Sequence, residues 1–237
     1  MKILLKLLNT VLFTIMIIVN YLATKGEINH IKTGDISDQF PLLITPAGYV
    51  FSIWGIIYIG IFCWIIYEWL SKKTFSTTKE VGMFIPLNFI LNISWLIAWH
   101  YQCYWLSLSI MISLLLTLII IFIKHDTSHP LHSVWSIYLG WISVATLVNL
   151  TQSLSLIWSN VGMNLIWSIT MLLIGMIASL YMSQKKNNLW HGVVFLWAIV
   201  GIFMKDESLE LWKSCLVGIF ILTCIGLFYR KKGLWEK

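Results

Sequence analysis

The chain has 237 residues, of which 59% are hydrophobic and only 11% are charged, and its mean hydropathy is +0.83. Soluble domains carry about 25% charged residues, so an ordinary soluble protein is excluded, and the repeated long apolar runs indicate an integral membrane protein. The formal net charge of +6 comes from Lys and Arg residues in the connectors between those runs, which favours membrane orientation over nucleic-acid binding as its explanation.

Eight apolar runs approach the length of about 20 residues that a helix needs to cross the hydrocarbon core. Because unpaired backbone groups cannot lie in lipid, each run is predicted to be a helix. The predicted fold is therefore an all-α polytopic bundle of about eight transmembrane helices. In chain order the predicted spans are 3–23, 48–70, 81–101, 104–123, 133–151, 158–182, 189–204 and 211–229.

The cationic residues alternate between the two sides that these spans define. Twelve lie on the side of both termini: Lys2, Lys6, Lys72, Lys73, Lys79, Lys124, Lys185, Lys186, Arg230, Lys231, Lys232 and Lys237. The opposite side holds four: Lys25, Lys32, Lys205 and Lys213. Since positive residues favour the cytoplasmic side, both termini are predicted to be cytoplasmic, as an even number of spans requires. We expect an integral protein of a bacterial cell membrane.

The first span, 3–23, follows a lysine and also has features of a secretory signal. Its apolar run is longer than a usual signal core and no A-x-A cleavage pattern follows it, which favours a retained helix. The polar stretch 24–40 comes next and lies on the non-cytoplasmic side. It is long for a simple connector, and long loops are more often functional or mobile.

Ionisable side chains give little support to catalysis, proton coupling or metal binding. No carboxylate lies in the middle of a span, and the nearest, Glu68, is expected to reach the interface together with Lys72 at i+4. His125, His129 and His132 have helical spacing, but a proline interrupts any helix there. A solvated cytoplasmic loop is therefore favoured over a metal site, and no metal ligand or catalytic residue is predicted.

The third span carries amides and indole rings at helical spacing. Asn88, Asn92, Trp95 and Trp99 follow i, i+4, i+7 and i+11, which places them on one face of a helix. An amide in hydrocarbon is costly unless it is hydrogen-bonded. This face is therefore predicted to contact protein or a cavity rather than lipid.

The fifth span repeats the pattern with more aromatic residues. Trp135, Tyr138 and Trp141 advance by threes, and Ala145 and Asn149 continue toward the end of the run. On spacing alone, helix packing with amides bonded between helices is favoured over a cavity for both spans.

A third pattern stands at the start of the second span, in the stretch TPAGYVFSIWGIIY. It resembles the loop-to-helix signature P-P-x-W-V-F-x-x-x-W-x-x-x-Y of the TspO/translocator, or tryptophan-rich sensory, proteins. Pro46, Tyr49, Phe51, Trp54 and Tyr58 occupy the corresponding positions. The interval from Phe51 to Trp54 is one residue shorter than in that signature, which turns Trp54 by about 100° around a helix unless the entry turn compensates.

Two further elements of the same family follow in the family's order. The family's N-x-x-W resembles Asn92 and Trp95 in LNISW, and its tryptophan followed eight residues later by asparagine resembles Trp141 and Asn149 in WISVATLVN. The chain is thus identified as a divergent, extended member. Residues 1–155 correspond to the family's five-helix membrane core, and residues 156–237 form an additional three-helix extension.

The resemblance implies a ligand pocket, since members of this family bind porphyrins, other tetrapyrroles and sterol-like molecules in a cavity closed by the first loop. Flat aromatic ligands need stacking surfaces and a few orienting amides, which both helical faces offer. With the resemblance included, a cavity is favoured over packing. The implied ligand-binding residues are Pro46, Tyr49, Phe51, Trp54, Tyr58, Asn92, Trp95, Tyr138, Trp141, Ala145 and Asn149.

The leading functional hypothesis is a membrane receptor or sensor for a hydrophobic planar ligand, a porphyrin or sterol-like molecule. The alternatives are a permease or membrane subunit of a transporter for a small hydrophobic molecule, and a porphyrin-modifying enzyme. No catalytic constellation supports the enzyme. The expected partners are the lipid bilayer and the ligand, with a homodimer left open, no nucleic acid and no covalent cofactor.

Overall fold

The computed structural model describes residues 2–40, 42–71, 81–125, 127–157, 161–185, 188–205 and 210–231. Within these ranges the chain consists of α-helices and turns, with no strand. A 3₁₀ helix, Gly48–Ser52, which we term the entry turn, leads directly into α3. The helices are α1 (Lys2–Lys25), α2 (Thr33–Asp38), α3 (Ile53–Leu70), α4 (Phe84–His100), α5 (Tyr104–Lys124), α6 (Ser133–Ser155), α7 (Val161–Lys185), α8 (Trp190–Phe203) and α9 (Glu210–Lys231).

The eight predicted spans coincide with the apolar helices of the described residues. Six helices among those residues are long and apolar enough to cross a membrane, whereas α4 and α8 have only 17 and 14 residues. The prediction of a polytopic helical membrane protein is confirmed. Its sidedness stays a prediction, because several of the cations that define it lie outside the described residues: Lys72, Lys73, Lys79, Lys186, Lys232 and Lys237.

Five helices form a closed ring of contacts. Helix α1 packs on α3 and α4, α5 packs on α4 and α6, and α6 returns to α3. These helices all lie within residues 1–155, and the last of them, α6, ends at Ser155. The division of the chain into a core and an extension stays a prediction. Helix α6 has the most buried apolar window of the six candidate spans in the described residues, because it is also covered from outside the ring.

The last three helices provide that cover. Helices α7 and α8 both pack on α6, α9 packs on α7 and α8, and α8 also contacts the entry turn. The approach of α8 to α6 is close at Gly140, where a Cβ atom would lie 3.1 Å from the carbonyl oxygen of His191. Helices α7 and α8 are therefore packed against the ring, and α9 packs on these two helices.

The polar stretch between α1 and α3 is more ordered than a simple connector. Helix α1 ends at Lys25, and the next residue, Gly26, has a φ of +77° that glycine readily adopts; its N–H donates to the carbonyl oxygen of Ala23 at 3.2 Å. The short helix α2 then packs against α4. Asn29 also donates a hydrogen bond to the carbonyl oxygen of His100 at 2.8 Å. The stretch thus lies across one end of the ring.

The opposite end of the ring corrects two sequence predictions. The side chain of Glu68 is not exposed at the end of α3, and His129 does not lie in a solvated loop: their side chains are 9% and 0% exposed, and Oε1 of Glu68 lies 3.4 Å from Nε2 of His129. The backbone N–H of Leu131 donates to Nδ1 of His129 at 3.0 Å, so a neutral ring carries its proton on Nε2, toward Glu68. His125 is buried as well. Lys72, the partner expected for Glu68, lies outside the described residues.

Candidate functional site

A cavity lies inside the ring beneath α2 and the entry turn. Its empty space is about 430 Å³ when the opening is included, but only about 30 Å³ admits the centre of a water molecule. That room suits one or two waters. The lining residues are Thr33, Ser37, Pro46, Phe51, Trp54, Trp95, Trp99, Trp141, Val144, Ala145, Val148 and Asn149.

A stack of aromatic rings occupies most of the space. The ring of Trp54 stacks on that of Trp95 with centroids 6.2 Å apart, and Trp95 stacks on Trp99 at 5.9 Å. On its other side Trp54 stacks on Tyr58 at 5.4 Å. The interplanar angles within the stack are between 22° and 30°. Rings from α3 and α4 therefore form a series of nearly parallel apolar plates.

Trp141 of α6 closes the stack from the side. Its ring stands nearly perpendicular to those of Trp54, at 6.2 Å and 85°, and Phe51, at 5.7 Å and 83°. Such edge-to-face pairs place the positive edge of one ring against the negative face of another. Residues from the entry turn, α3 and α6 thus converge at one place.

The entry turn accounts for the convergence of Phe51 and Trp54 despite their short spacing. A 3₁₀ helix turns by about 120° per residue, compared with about 100° in an α-helix. The chain changes from 3₁₀ to α-helical geometry at Ile53. The larger rotation per residue in the entry turn therefore recovers part of the rotation that the missing residue would have supplied. Trp54 consequently points into the bundle, with 9% of its surface exposed.

Helix α2 is held over the cavity by the end of α4. The indole N–H of Trp99 donates to the carbonyl oxygen of Thr33 at 3.2 Å. The imidazole of His100 lies with Nδ1 2.8 Å from the carbonyl oxygen of Leu96 and Nε2 3.3 Å from the hydroxyl of Thr33. Because the carbonyl can only accept, Nδ1 carries the proton of the neutral ring and Nε2 accepts from the hydroxyl.

Three polar atoms of the lining residues have no hydrogen-bond partner within the described part of the chain. They are the indole nitrogens of Trp95 and Trp141 and the Oδ1 atom of Asn149, and all are buried. The amide nitrogen of Asn149 donates to Ser107 at 3.0 Å, which fixes the orientation of the amide. Two donors and one acceptor of the lining residues are thus available for hydrogen bonds to a molecule in the cavity.

The other amides of the α4 face join helices instead of lining the cavity. Asn92 donates to the hydroxyl of Tyr138 at 2.8 Å and accepts from Asn20 at 3.3 Å, which connects α4 to α6 and α1. Asn88 donates to Thr117 of α5 at 2.8 Å. For Asn88 and Asn92 the structure therefore agrees with helix packing and not with a place in the cavity wall.

The predicted ligand-binding residues therefore divide into two groups. Seven line the cavity: Pro46, Phe51, Trp54, Trp95, Trp141, Ala145 and Asn149. Tyr58, Asn92 and Tyr138 lie behind the lining, and Tyr49 is 46% exposed with its ring against Trp197 of α8. Ligand binding by these eleven residues stays a prediction.

Five lining residues were not predicted, for two physical reasons. Trp99 was on the predicted face of α4, and Val144 and Val148 flank Ala145 and Asn149 on α6, so helical periodicity was the available signal for all three. Thr33 and Ser37 belong to α2, whose position depends on contacts with α4 that no local pattern encodes.

Comparison with known proteins gives one match. A family model described as "TSPO-like protein" matches residues 6–228. No curated protein and no solved structure matches the chain. The matched range runs well past residue 155 and includes the three helices that pack outside the ring.

Proposed function

Because this chain belongs to the TSPO-like protein family, we propose that it binds a hydrophobic, planar ligand of the tetrapyrrole or sterol-like class in the cavity beneath α2. Family membership suggests a ligand-binding or sensor role in the membrane, generally a non-enzymatic one. The observation that carries the proposal is the stack of Trp54, Trp95 and Trp99, closed at the side by Trp141.

The stack suits a flat apolar molecule for a simple energetic reason. Aromatic pairs contribute about 0.5–1.5 kcal/mol beyond the burial of their area, so a planar ligand inserted between two plates replaces one ring contact by two. Small-molecule pockets typically occupy about 300–1,000 Å³, whereas the enclosed cavity has only about 30 Å³, so a ligand of this size needs the aromatic plates to move apart. The ligand therefore enters by parting the plates.

The unpartnered atoms supply orientation. The indole N–H groups of Trp95 and Trp141 are donors, and Oδ1 of Asn149 is an acceptor. A ligand with a polar group at its rim satisfies at least one of them, which stabilises one orientation over others in an otherwise apolar site.

The proposal is tested by titrating the purified protein with protoporphyrin IX and following tryptophan fluorescence. Saturable quenching is expected for the wild type, and Trp95→Leu should weaken the affinity by about tenfold because one of the rings that stacks on the ligand is lost. Trp105→Phe serves as the matched control, since Trp105 lies on α5, is 48% exposed and does not line the cavity. Equal affinities for all three proteins would refute the assignment of the site.

A permease is the second candidate, and the buried pair of Glu68 and His129 favours it. Ionisable groups buried in membrane helices usually mark ion or proton pathways, and this pair lies at the end of the ring opposite α2. Flux of a fluorescent porphyrin across proteoliposomes that is lost in Glu68→Gln would support transport. Binding without flux in the wild type would instead support a sensor and contradict transport.

A further inference from the structure

One face of α8 is directed at the segments that cover the cavity. Trp197, Gly201 and Lys205 are spaced by four residues, so they follow one another along the same side of α8 and its C-terminal end. Trp197 and Gly201 contact the entry turn or the residue just before it, and Lys205 contacts α2. None of them lines the cavity.

Two of these contacts hold the start of the entry turn by its backbone. The indole N–H of Trp197 donates to the carbonyl oxygen of Val50 at 3.3 Å. The carbonyl oxygen of Gly201 accepts from the N–H of Ala47 at 3.0 Å. Because Phe51 follows Val50 directly and lies in the cavity wall, α8 fixes the position of one wall element through two main-chain hydrogen bonds.

The second contact depends on glycine at position 201. A Cβ atom there would lie 2.0 Å from Cγ2 of Val50 and 3.3 Å from its Cβ atom, although Gly201 itself has no positive φ. Val50 is fully buried. The two backbones therefore approach as closely as they do only because Gly201 has no side chain.

The third contact reaches the other covering segment. Nζ of Lys205 lies 2.8 Å from Oδ1 of Asp38 at the end of α2, and the side chains are 23% and 52% exposed. The opposite side of α2 is bonded to α4 through Thr33. Helix α2 is thus attached to the ring on one side and to α8 on the other.

We propose that Trp197, Gly201 and Lys205 form a latch that holds α2 and the entry turn closed over the cavity and sets how fast a ligand enters and leaves. The inference rests on the proposed function for its ligand, and assigns to α8 the control of access to the site. The side of α2 bonded to α4 acts as the fixed edge, and the side facing α8 is the one that opens.

The latch has a kinetic signature that a wall residue lacks. If a ligand passes only through the open form, weakening the latch raises the association and dissociation rates together and leaves their ratio, the Kd, nearly unchanged. A residue that contacts the ligand instead changes the Kd, chiefly through the dissociation rate.

The first test locks the latch in a chain whose native cysteines are replaced by serine; all four are unpaired. In Val50→Cys/Gly201→Cys the two Cβ atoms are 3.3 Å apart, close to the Cβ–Cβ distance of roughly 3.5–4.5 Å in a disulfide. The Cγ2 methyl of Val50, which would clash with a Cβ atom at position 201, is removed by the first substitution. Oxidation should slow both protoporphyrin IX association and dissociation by at least about tenfold, and a reductant should restore them. Equal rates in the oxidised and reduced forms would overturn the latch.

The second test weakens the latch without a disulfide. Trp197→Phe/Lys205→Glu removes one hydrogen bond and one exposed ion pair, which should raise both rates by about tenfold. Adding Asp38→Lys restores the ion pair with the two charges exchanged, and should bring both rates part of the way back to their wild-type values. A changed Kd with an unchanged association rate, or no response to Asp38→Lys, would contradict the proposal.

A ligand-free measurement separates this inference from the proposed function. In the cysteine-free chain, Ala145→Cys places one thiol in the cavity wall, and its maleimide labelling should be faster in Trp197→Phe/Lys205→Glu than in the parent. A labelling response without porphyrin binding would refute the proposed ligand class and keep the latch. Porphyrin binding with identical labelling would keep the site and refute the latch.

Discussion

Removing the hydrogen bond between Asn92 and Tyr138 should destabilise the ring more than most polar contacts in a membrane protein do. Both side chains are fully buried and the bond is 2.8 Å long. Tyr138→Phe leaves the amide of Asn92 without this acceptor, which costs about 1–3 kcal/mol. Because chains unfolded in a membrane find other partners, interhelical bonds there average about 0.6 and reach about 1.7 kcal/mol. We expect a coupling energy of about 1–1.7 kcal/mol.

The coupling is measured by a double-mutant cycle of Tyr138→Phe and Asn92→Ala, with unfolding followed in mixed detergent micelles. Asn92→Ala should cost more than Tyr138→Phe, since it also breaks the 3.3 Å bond from Asn20. Ser109→Ala is the control, because that exposed hydroxyl bonds only within its own helix, and should change stability by less than about 0.5 kcal/mol. A coupling below about 0.3 kcal/mol, the level of additivity between independent sites, would refute the network.

Two further predictions concern packing away from the cavity. Glu68→Ala should destabilise the fold by about 1–3 kcal/mol, because the buried imidazole of His129 loses the carboxylate oxygen that lies 3.4 Å from its Nε2 atom. Glu68→Gln should cost less than half of that, and equal losses in chemical unfolding would contradict the pair. Gly140→Ala should cost about 1–3 kcal/mol, since its Cβ would press on the main chain of His191. Gly55→Ala, with no atom within 4 Å, should instead gain about 0.5–1 kcal/mol in a helix interior, and the same sign for both glycine variants would refute the packing.

The membrane helices were predictable because lipid removes most alternatives. A run of apolar residues that must satisfy its own backbone can only be a helix, so the eight runs coincide with helices in the described residues. The same periodicity placed Trp95, Trp141 and Asn149 on inward faces, and these residues do meet at one cavity.

Features that depend on contacts between distant segments were not predictable. The interval of 61 positions between Glu68 and His129 gives no sign that the end of α3 covers the connector after α5. Helix α2 is only six residues long and is held by Trp99 and His100 of another helix. The approach of Gly201 to Val50 likewise requires α8 to pack beside the entry turn.

The sequence alone also favoured packing over a cavity for the amides, and this interpretation applies to part of the site. Asn92 joins helices, whereas Asn149, eight residues after Trp141, lines the cavity with one oxygen unpartnered. Helical spacing cannot distinguish these cases, because both residues point inward and differ only in the hydrogen-bond partners that the neighbouring helices place beside them.

Blocking the cavity is the most direct test of ligand binding beneath α2. Ala145→Trp projects an indole from the cavity wall into the path of a ligand, while Ile112→Trp adds the same ring on the exposed face of α5. Saturable quenching by protoporphyrin IX should disappear in Ala145→Trp and persist with wild-type affinity in Ile112→Trp. Wild-type affinity in a folded Ala145→Trp protein would contradict ligand binding beneath α2.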